Sequence, residues 1–184
     1  MTAYYFDIET YSPNIRPDPV TDKIITIQYQ EIDLETGQPI KPLVILKEWE
    51  SSEADIVSKF YDEFLNGKSV WNFVPVGFNL NFDFEFLREK IRKYVGNVIS
   101  ARNLYYYRPR IDLKPIVVLF NNGEFKGASL DNFTRKPHNG SVIRKWYETQ
   151  QYDEILTYIK DENEAFMEFL RKITVLFQEI KRKL

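Results

Sequence analysis

Two carboxylates one residue apart, Asp7 and Glu9, follow the apolar run Ala3-Tyr4-Tyr5-Phe6. Side chains on a strand alternate faces, so a strand here points Asp7 and Glu9 to one side and Phe6 and Ile8 to the other. Acids crowded on one face of a buried strand repel each other and lose hydration. A cation between them relieves both penalties, and oxygen-only ligands suit Mg²⁺ or Mn²⁺. The alternative reading of Phe6-Asp7-Ile8-Glu9-Thr10 is a solvated strand end with Asp7 capping a turn.

Such acids need a frame. Tyr11 to Asp22 carries Pro13, Pro17 and Pro19 and reads as a loop. Lys23 to Tyr29 is rich in β-branched residues and reads as a second strand, Leu34 to Gln38 as a turn, and Pro42 to Leu46 as a third strand. Short turns between them predict an antiparallel meander. Ser51-Ser52-Glu53-Ala54-Asp55 has the hydroxyl cap and early acids of a helix start, and Gly67 closes that helix. Val70 to Phe78 reads as a strand interrupted by Pro75, hence two short pieces or an edge. Gly77 to Asp83 then turns into a helix marked by Phe86, Leu87, Ile91 and Tyr94, with Asp83 near its first turn. Ile116 to Phe120 reads as a short buried strand, Ser129 to Phe133 as a short helix start, and Lys136 to Gly140 as a loop. From about Asp153 to Leu184 the pattern is helical, with Phe166, Phe169, Leu170, Ile173, Leu176, Phe177 and Ile180 on one stripe. That stripe reads as core or as a contact with a second copy of the chain.

The bulk composition narrows the chemistry. A length of 184 residues fits one domain with a proper core. No apolar stretch is long enough to span a bilayer, and no signal peptide stands out. The absence of cysteine excludes disulfides and thiolate metal sites, and the single histidine, His138, argues against a histidine-rich zinc site. A cytoplasmic protein is expected. The net charge of −2 gives no global basic signal, although Arg88–Lys93, Arg102–Lys114 and the tail from Arg171 are locally basic.

Three segments together resemble the DEDD superfamily of 3′→5′ exonucleases, and within it the proofreading exonuclease domain of family B DNA polymerases. Phe6-Asp7-Ile8-Glu9-Thr10 matches that family's Asp-x-Glu motif, and Gly77-Phe78-Asn79-Leu80-Asn81-Phe82-Asp83 matches its Gly-aromatic-Asn-x-x-Phe-Asp motif throughout. The third motif of the tyrosine subclass, Tyr-x-x-x-Asp, departs: Tyr158-Ile159-Lys160-Asp161-Glu162 puts Glu162 at the fourth residue after Tyr158 and Asp161 one early. Helix positions three and four apart both face Tyr158, so either acid could serve, with Glu162 the first choice. His138 does not start the rival His-x-x-x-x-Asp motif, because Ile143 stands in the aspartate's place.

The resemblance implies an α/β, RNase H-like (DnaQ-like exonuclease) fold with a mixed central sheet flanked by helices. It implies a single exonuclease-like domain over 1–184, with a C-terminal helix at about 163–184. It also implies hydrolysis from the 3′ end of single-stranded DNA or RNA, DNA favoured, by two divalent cations, Mg²⁺ or Mn²⁺. Asp7 would bridge both ions, Glu9 and Asp83 would hold one each, Glu162 (or Asp161) would complete the set, and Tyr158 would orient the water. Asn79 and Phe82 would shape the pocket for the terminal nucleotide, and Thr10 and Tyr11 would touch the 3′ end. Tyr105-Tyr106-Tyr107-Arg108-Pro109-Arg110 combines rings and cations, so Tyr106 and Arg108 are candidate strand contacts. The alternative for that segment is an exposed β-hairpin whose tyrosines pack at home. The alternative functions are a catalytically impaired nucleic-acid-binding or scaffold module and an RNase H-like ribonuclease.

Overall fold

A computed structural model of the chain describes residues 1–14, 16–134 and 140–183. β1 (Ala3–Tyr11) and β2 (Lys23–Asp33) form the long hairpin that the β-branched run predicts, antiparallel from Ala3↔Ile32 to Tyr11↔Lys23. β3 (Gln38–Pro39) and β4 (Val44–Lys47) both pair with β2, completing the antiparallel half. β5 (Val74–Gly77) joins β1 in parallel, and β6 (Ile111–Asp112) joins β5 in parallel. Among the described residues this gives one mixed six-stranded sheet in the order β3-β2-β1-β5-β6, with β4 also on β2.

Helices cover both faces. α1 (Glu53–Phe64) starts where Ser52 Oγ accepts the Asp55 N–H at 3.1 Å. With α2 (Leu80–Tyr94) it packs on Phe6, Ile8, Ile24 and Ile27. α3 (Lys114–Phe120) and the middle of α5 (Tyr152–Lys183) pack on Ala3, Tyr5, Ile32 and Val76. α4 (Ile143–Glu148) and the first turns of α5 close over Ile25. Apolar alternation along β1 therefore sorts odd and even residues into two separate cores, and Asp7 and Glu9 fall on the α5 side. No helix among the described residues is long and apolar enough to cross a membrane.

Three local expectations change. Residues 116–120 are helical, not a strand: Pro115 sits in the first turn of α3, where its missing N–H removes nothing from the ladder. Only Val117 and Val118 of that run are buried, so the apolar stretch serves a helix lying on one face. Val74–Gly77 is an internal strand despite Pro75. The Val74 N–H faces β1, donating to Thr2 O at 3.0 Å, so the Pro75 nitrogen faces the other side, where β6 pairs only from Val76 onward. Residues 103–107 form a single π-helical turn rather than an arm of a hairpin. The loop expected at 136–140 lies, except for Gly140, outside the described residues, as does His138.

Candidate active site

β1 carries the first two acids. Asp7 stands opposite Gln28 of β2 and Glu9 opposite Thr26. One residue further the register slips between Glu9 and Thr10, so that Thr10 pairs with Ile24 and Ile25 is the extra residue. This bulge turns both Ile25 and Thr26 toward α5, and Ile25 seats Tyr158 together with Ile143, Ile155 and Ile159.

Asp83 arrives from the other core. β5 must pass directly into α2, and the turn is tight: a Cβ on Gly77 would lie 2.5 Å from Leu80 Cδ2 and 2.6 Å from Phe6 O. Asn79 takes the left-handed conformation at φ 64°. The carboxylate of Asp112, at the end of β6, gathers three backbone amides there: Asn79 N–H at 2.9 Å, Leu80 N–H at 3.0 Å and Lys114 N–H at 3.0 Å. Asp112 thus caps α2 from the strand beside β5 and α3 from just ahead of it in sequence. Capped in this way, the first turn of α2 aims Asp83 at β1. Beyond the last β1–β5 pair, Tyr5↔Val76, Asp83 Oδ1 accepts the Ile8 N–H at 3.1 Å.

Four acids meet as a result. One carboxylate oxygen each of Asp7, Glu9 and Glu162 lies within 4.8 Å of the others, and Asp83, held at the Ile8 amide, feels the Asp7 charge. Asp83 is 2% exposed, and burial, then the Asp7 charge, pushes its carboxyl well above the usual carboxylate range. α5 supplies Tyr158 and Glu162 one helical turn apart. Burial, then Glu9, Glu162 and Asp7, push the Tyr158 hydroxyl up, so it stays protonated and able to donate. Backbone at Gly140 closes over it, since a Cβ there would meet the Tyr158 hydroxyl at 3.6 Å. All donors in this cluster are oxygens, several are buried and all are acidic, a set that fits hard divalent cations.

The remaining candidates are dispersed around this centre. Asp161 lies outside the three-carboxylate group and lines a groove of about 660 Å³ with Gln30, Gln38, Asn163, Glu164 and Arg171. Asn79 Oδ1 accepts from Lys114 Nζ at 3.0 Å, and Phe82, half-buried, packs on Phe86 at 4.9 Å. Thr10 is half-buried beyond the bulge, while Tyr11 donates to Glu148 Oε1 at 3.2 Å and packs on Tyr147. Tyr105 is held by Glu85, but Tyr106 is 78% exposed and touches Tyr107 at 5.3 Å, with Arg102 over the Tyr107 ring. Arg108 turns inward: Nε donates to Asn103 Oδ1 at 3.3 Å, and Nη1 is buried with no hydrogen-bond partner. Sequence reasoning passes over Asp112, Lys114 and Gln28. Asp112 carries a usable signal, an acid just ahead of Lys-Pro at a helix start; its grip on α2 is set by tertiary structure and has none.

No family's sequence model matches the chain, and no curated protein matches it in sequence. Among solved structures it is similar to the family B DNA polymerase from the hyperthermophilic archaeon Pyrobaculum calidifontis. The TM-score is 0.68 and the identity 18%, over 94% of this chain and 24% of the polymerase. Exonuclease I of E. coli, solved with a dT13 oligonucleotide, gives a TM-score of 0.49 at 15% identity, over 65% of this chain and 29% of that one. The moderately thermophilic exonuclease I from Methylocaldum szegediense gives 0.47 at 18% identity, over 65% and 29%. The chain thus spans less than a third of the length of these structures. Its fold is RNase H-like, a mixed sheet flanked by helices, as in the part of the polymerase that it matches.

Proposed function

We propose that the chain is a metal-dependent 3′→5′ exonuclease that hydrolyses the terminal phosphodiester bond of single-stranded nucleic acid. The observation that carries this reading is the meeting of Asp7, Glu9, Glu162 and Asp83, drawn from three elements, beside the Tyr158 hydroxyl. Asp7, Glu9, Glu162 and Asp83 would hold two divalent cations. When bound, such cations activate a water and stabilise the leaving alkoxide. Asp7, grouped with Glu9 and Glu162 and electrostatically linked to Asp83, would help to hold both cations. Tyr158, kept protonated by burial and by its acidic neighbours, orients the attacking water by hydrogen bonding and does not act as the base. Asn79, steadied by Lys114, and Phe82 flank the Asp83 turn and offer a wall for the terminal nucleotide. Tyr106 and Tyr107 present exposed rings beside Arg102, a stacking platform for unpaired bases. Likeness to a DNA polymerase favours DNA over RNA.

The test is a 5′-labelled single strand incubated with Mg²⁺, Mn²⁺ or chelator. The expected result is a ladder shortening stepwise from the 3′ end, absent with chelator and in Asp7→Ala. Internal cuts in RNA would instead favour an RNase H-like ribonuclease. Binding without cleavage in either metal would overturn the enzyme reading in favour of a catalytically impaired binding module, a reading that the glutamate in place of aspartate at position 162 supports.

A further inference from the structure

Beneath α5, β2 carries a row of polar side chains that alternation alone would send to solvent. Thr26 and Gln28 are fully buried and Gln30 nearly so. Each is satisfied within the protein. Thr26 Oγ1 donates to Gln28 Oε1 at 2.9 Å, and Gln28 Nε2 donates to Asp7 Oδ2 at 2.8 Å. Gln30 Nε2 donates to Lys41 O at 2.8 Å, and its Oε1 accepts from Asn163 Nδ2 of α5 at 3.2 Å. The two ends of Gln28 have different needs, because a hydroxyl hydrogen meets its oxygen and a carboxylate meets its nitrogen. That pair of contacts fixes which way the amide points. An apolar residue would fill the same space without burying an amide, so packing alone does not explain a glutamine there.

We propose that Gln28 is a positioning residue for the cation site, acting through Asp7, with Thr26 holding Gln28 in turn. This inference rests on the metal-site reading of the acid cluster. Asp7 has two oxygens and about four lone-pair directions. Gln28 takes one of them on Oδ2 and so fixes the plane of the carboxylate, which also lies in the close group with Glu9 and Glu162. Hydrogen-bond partners of metal ligands act in this way elsewhere, and their loss typically weakens metal binding about 10- to 100-fold.

The experiment is Mn²⁺ binding by titration calorimetry on the parent, Gln28→Met, Thr26→Val and Asp7→Asn, with thermal melting in chelator run alongside. Met keeps the length of Gln28 and removes its hydrogen bonds; Val keeps the shape of Thr26 and frees the glutamine oxygen. Expected are Mn²⁺ binding by the parent, its loss in Asp7→Asn, a weakening of about 10- to 100-fold in Gln28→Met and a smaller one in Thr26→Val. Turnover by Gln28→Met should recover at saturating Mn²⁺, since Gln28 touches no reacting atom. If the parent binds Mn²⁺, Asp7→Asn does not, and Gln28→Met binds as the parent does, the positioning role is overturned while the metal site stands. Failure of the parent to bind Mn²⁺ overturns both. Should Gln28→Met melt too early to titrate, Thr26→Val decides alone: parental affinity in it overturns the proposal.

Discussion

The most revealing substitution lies outside the acid cluster, at Asp112. Its carboxylate accepts three backbone amides at 2.9, 3.0 and 3.0 Å, two at the start of α2 and one at the start of α3. Asp112→Ala removes all three hydrogen bonds at once. Loss of a helix N-cap costs about 0.5–2 kcal/mol. The Leu80 amide belongs to a fully buried residue, and a buried donor left without a partner costs about 1–3 kcal/mol. Asn79 and Lys114 are half-buried, so water recovers part of their share. The total is about 2–4 kcal/mol. At about 2–4 °C per kcal/mol for a domain of this size, the melting temperature falls by roughly 4–16 °C. Asp112→Asn keeps Oδ1 and its two amides but sets an NH₂ against the Leu80 N–H, so it should fall between parent and alanine. Because the capped turn aims Asp83 at the Ile8 amide, Mn²⁺ affinity should fall along with stability. Circular dichroism melting and calorimetric titration of the three proteins test both limbs. Identical melting temperatures for parent and Asp112→Ala would refute the capping argument. Lowered stability with parental Mn²⁺ affinity would refute the link from cap to site.

Three further outcomes follow from the same geometry. Gly77→Ala puts a Cβ 2.6 Å from Phe6 O, a main-chain atom that cannot yield as a flexible side chain can, so it should destabilise by about 1–3 kcal/mol or more in chemical denaturation. Glu162→Ala should abolish tight Mn²⁺ binding and Asp161→Ala leave it within about threefold, given that only Glu162 joins Asp7 and Glu9; the reverse pattern in titration would shift the third motif by one residue. Without cations, burial and Asp7 raise the Asp83 pKa, so the folded state binds a proton where the unfolded chain has released it. Stability in chelator should therefore fall as pH rises from the ordinary carboxylate pKa through the raised one, and Asp83→Asn should flatten that limb of the melting profile.

Much of this architecture is legible in residue order because period and punctuation agree. Alternation in β1 sorts Phe6 and Ile8 from Asp7 and Glu9, Ser52 caps α1 as the hydroxyl-then-acid pattern foretells, and α5 runs from Tyr152, one residue from the expected Asp153. Where periodicity is too short to decide, it misleads. Ile116 to Phe120 is β-branched and apolar over only five residues, a length at which strand and buried helix read alike, and Pro115 is the better guide. Pro75 argues by residue type against an internal strand, yet its nitrogen points where β6 has not begun. The site divides in the same way. Its acids are visible because charge on an apolar strand is conspicuous. Gln28 and Asp112 are not, because an alternating polar row and a lone aspartate in a basic stretch both suit solvent equally well, and only the packing of α5 and α2 gives them their partners.

The slipped register at Ile25 has a practical consequence for anyone building chimeras of this protein. The extra residue puts two consecutive side chains, Ile25 and Thr26, under α5, one seating Tyr158 and the other holding Gln28. Grafting residues 12–26 from a donor whose hairpin lacks the insertion would leave every strand formed and the sequence superficially alignable. It would nevertheless rotate the splice by one pleat and exchange the inward and outward sets upstream of it. Recombination breakpoints therefore belong after Gln28 or before Ala3, so that the hairpin travels as one inherited block.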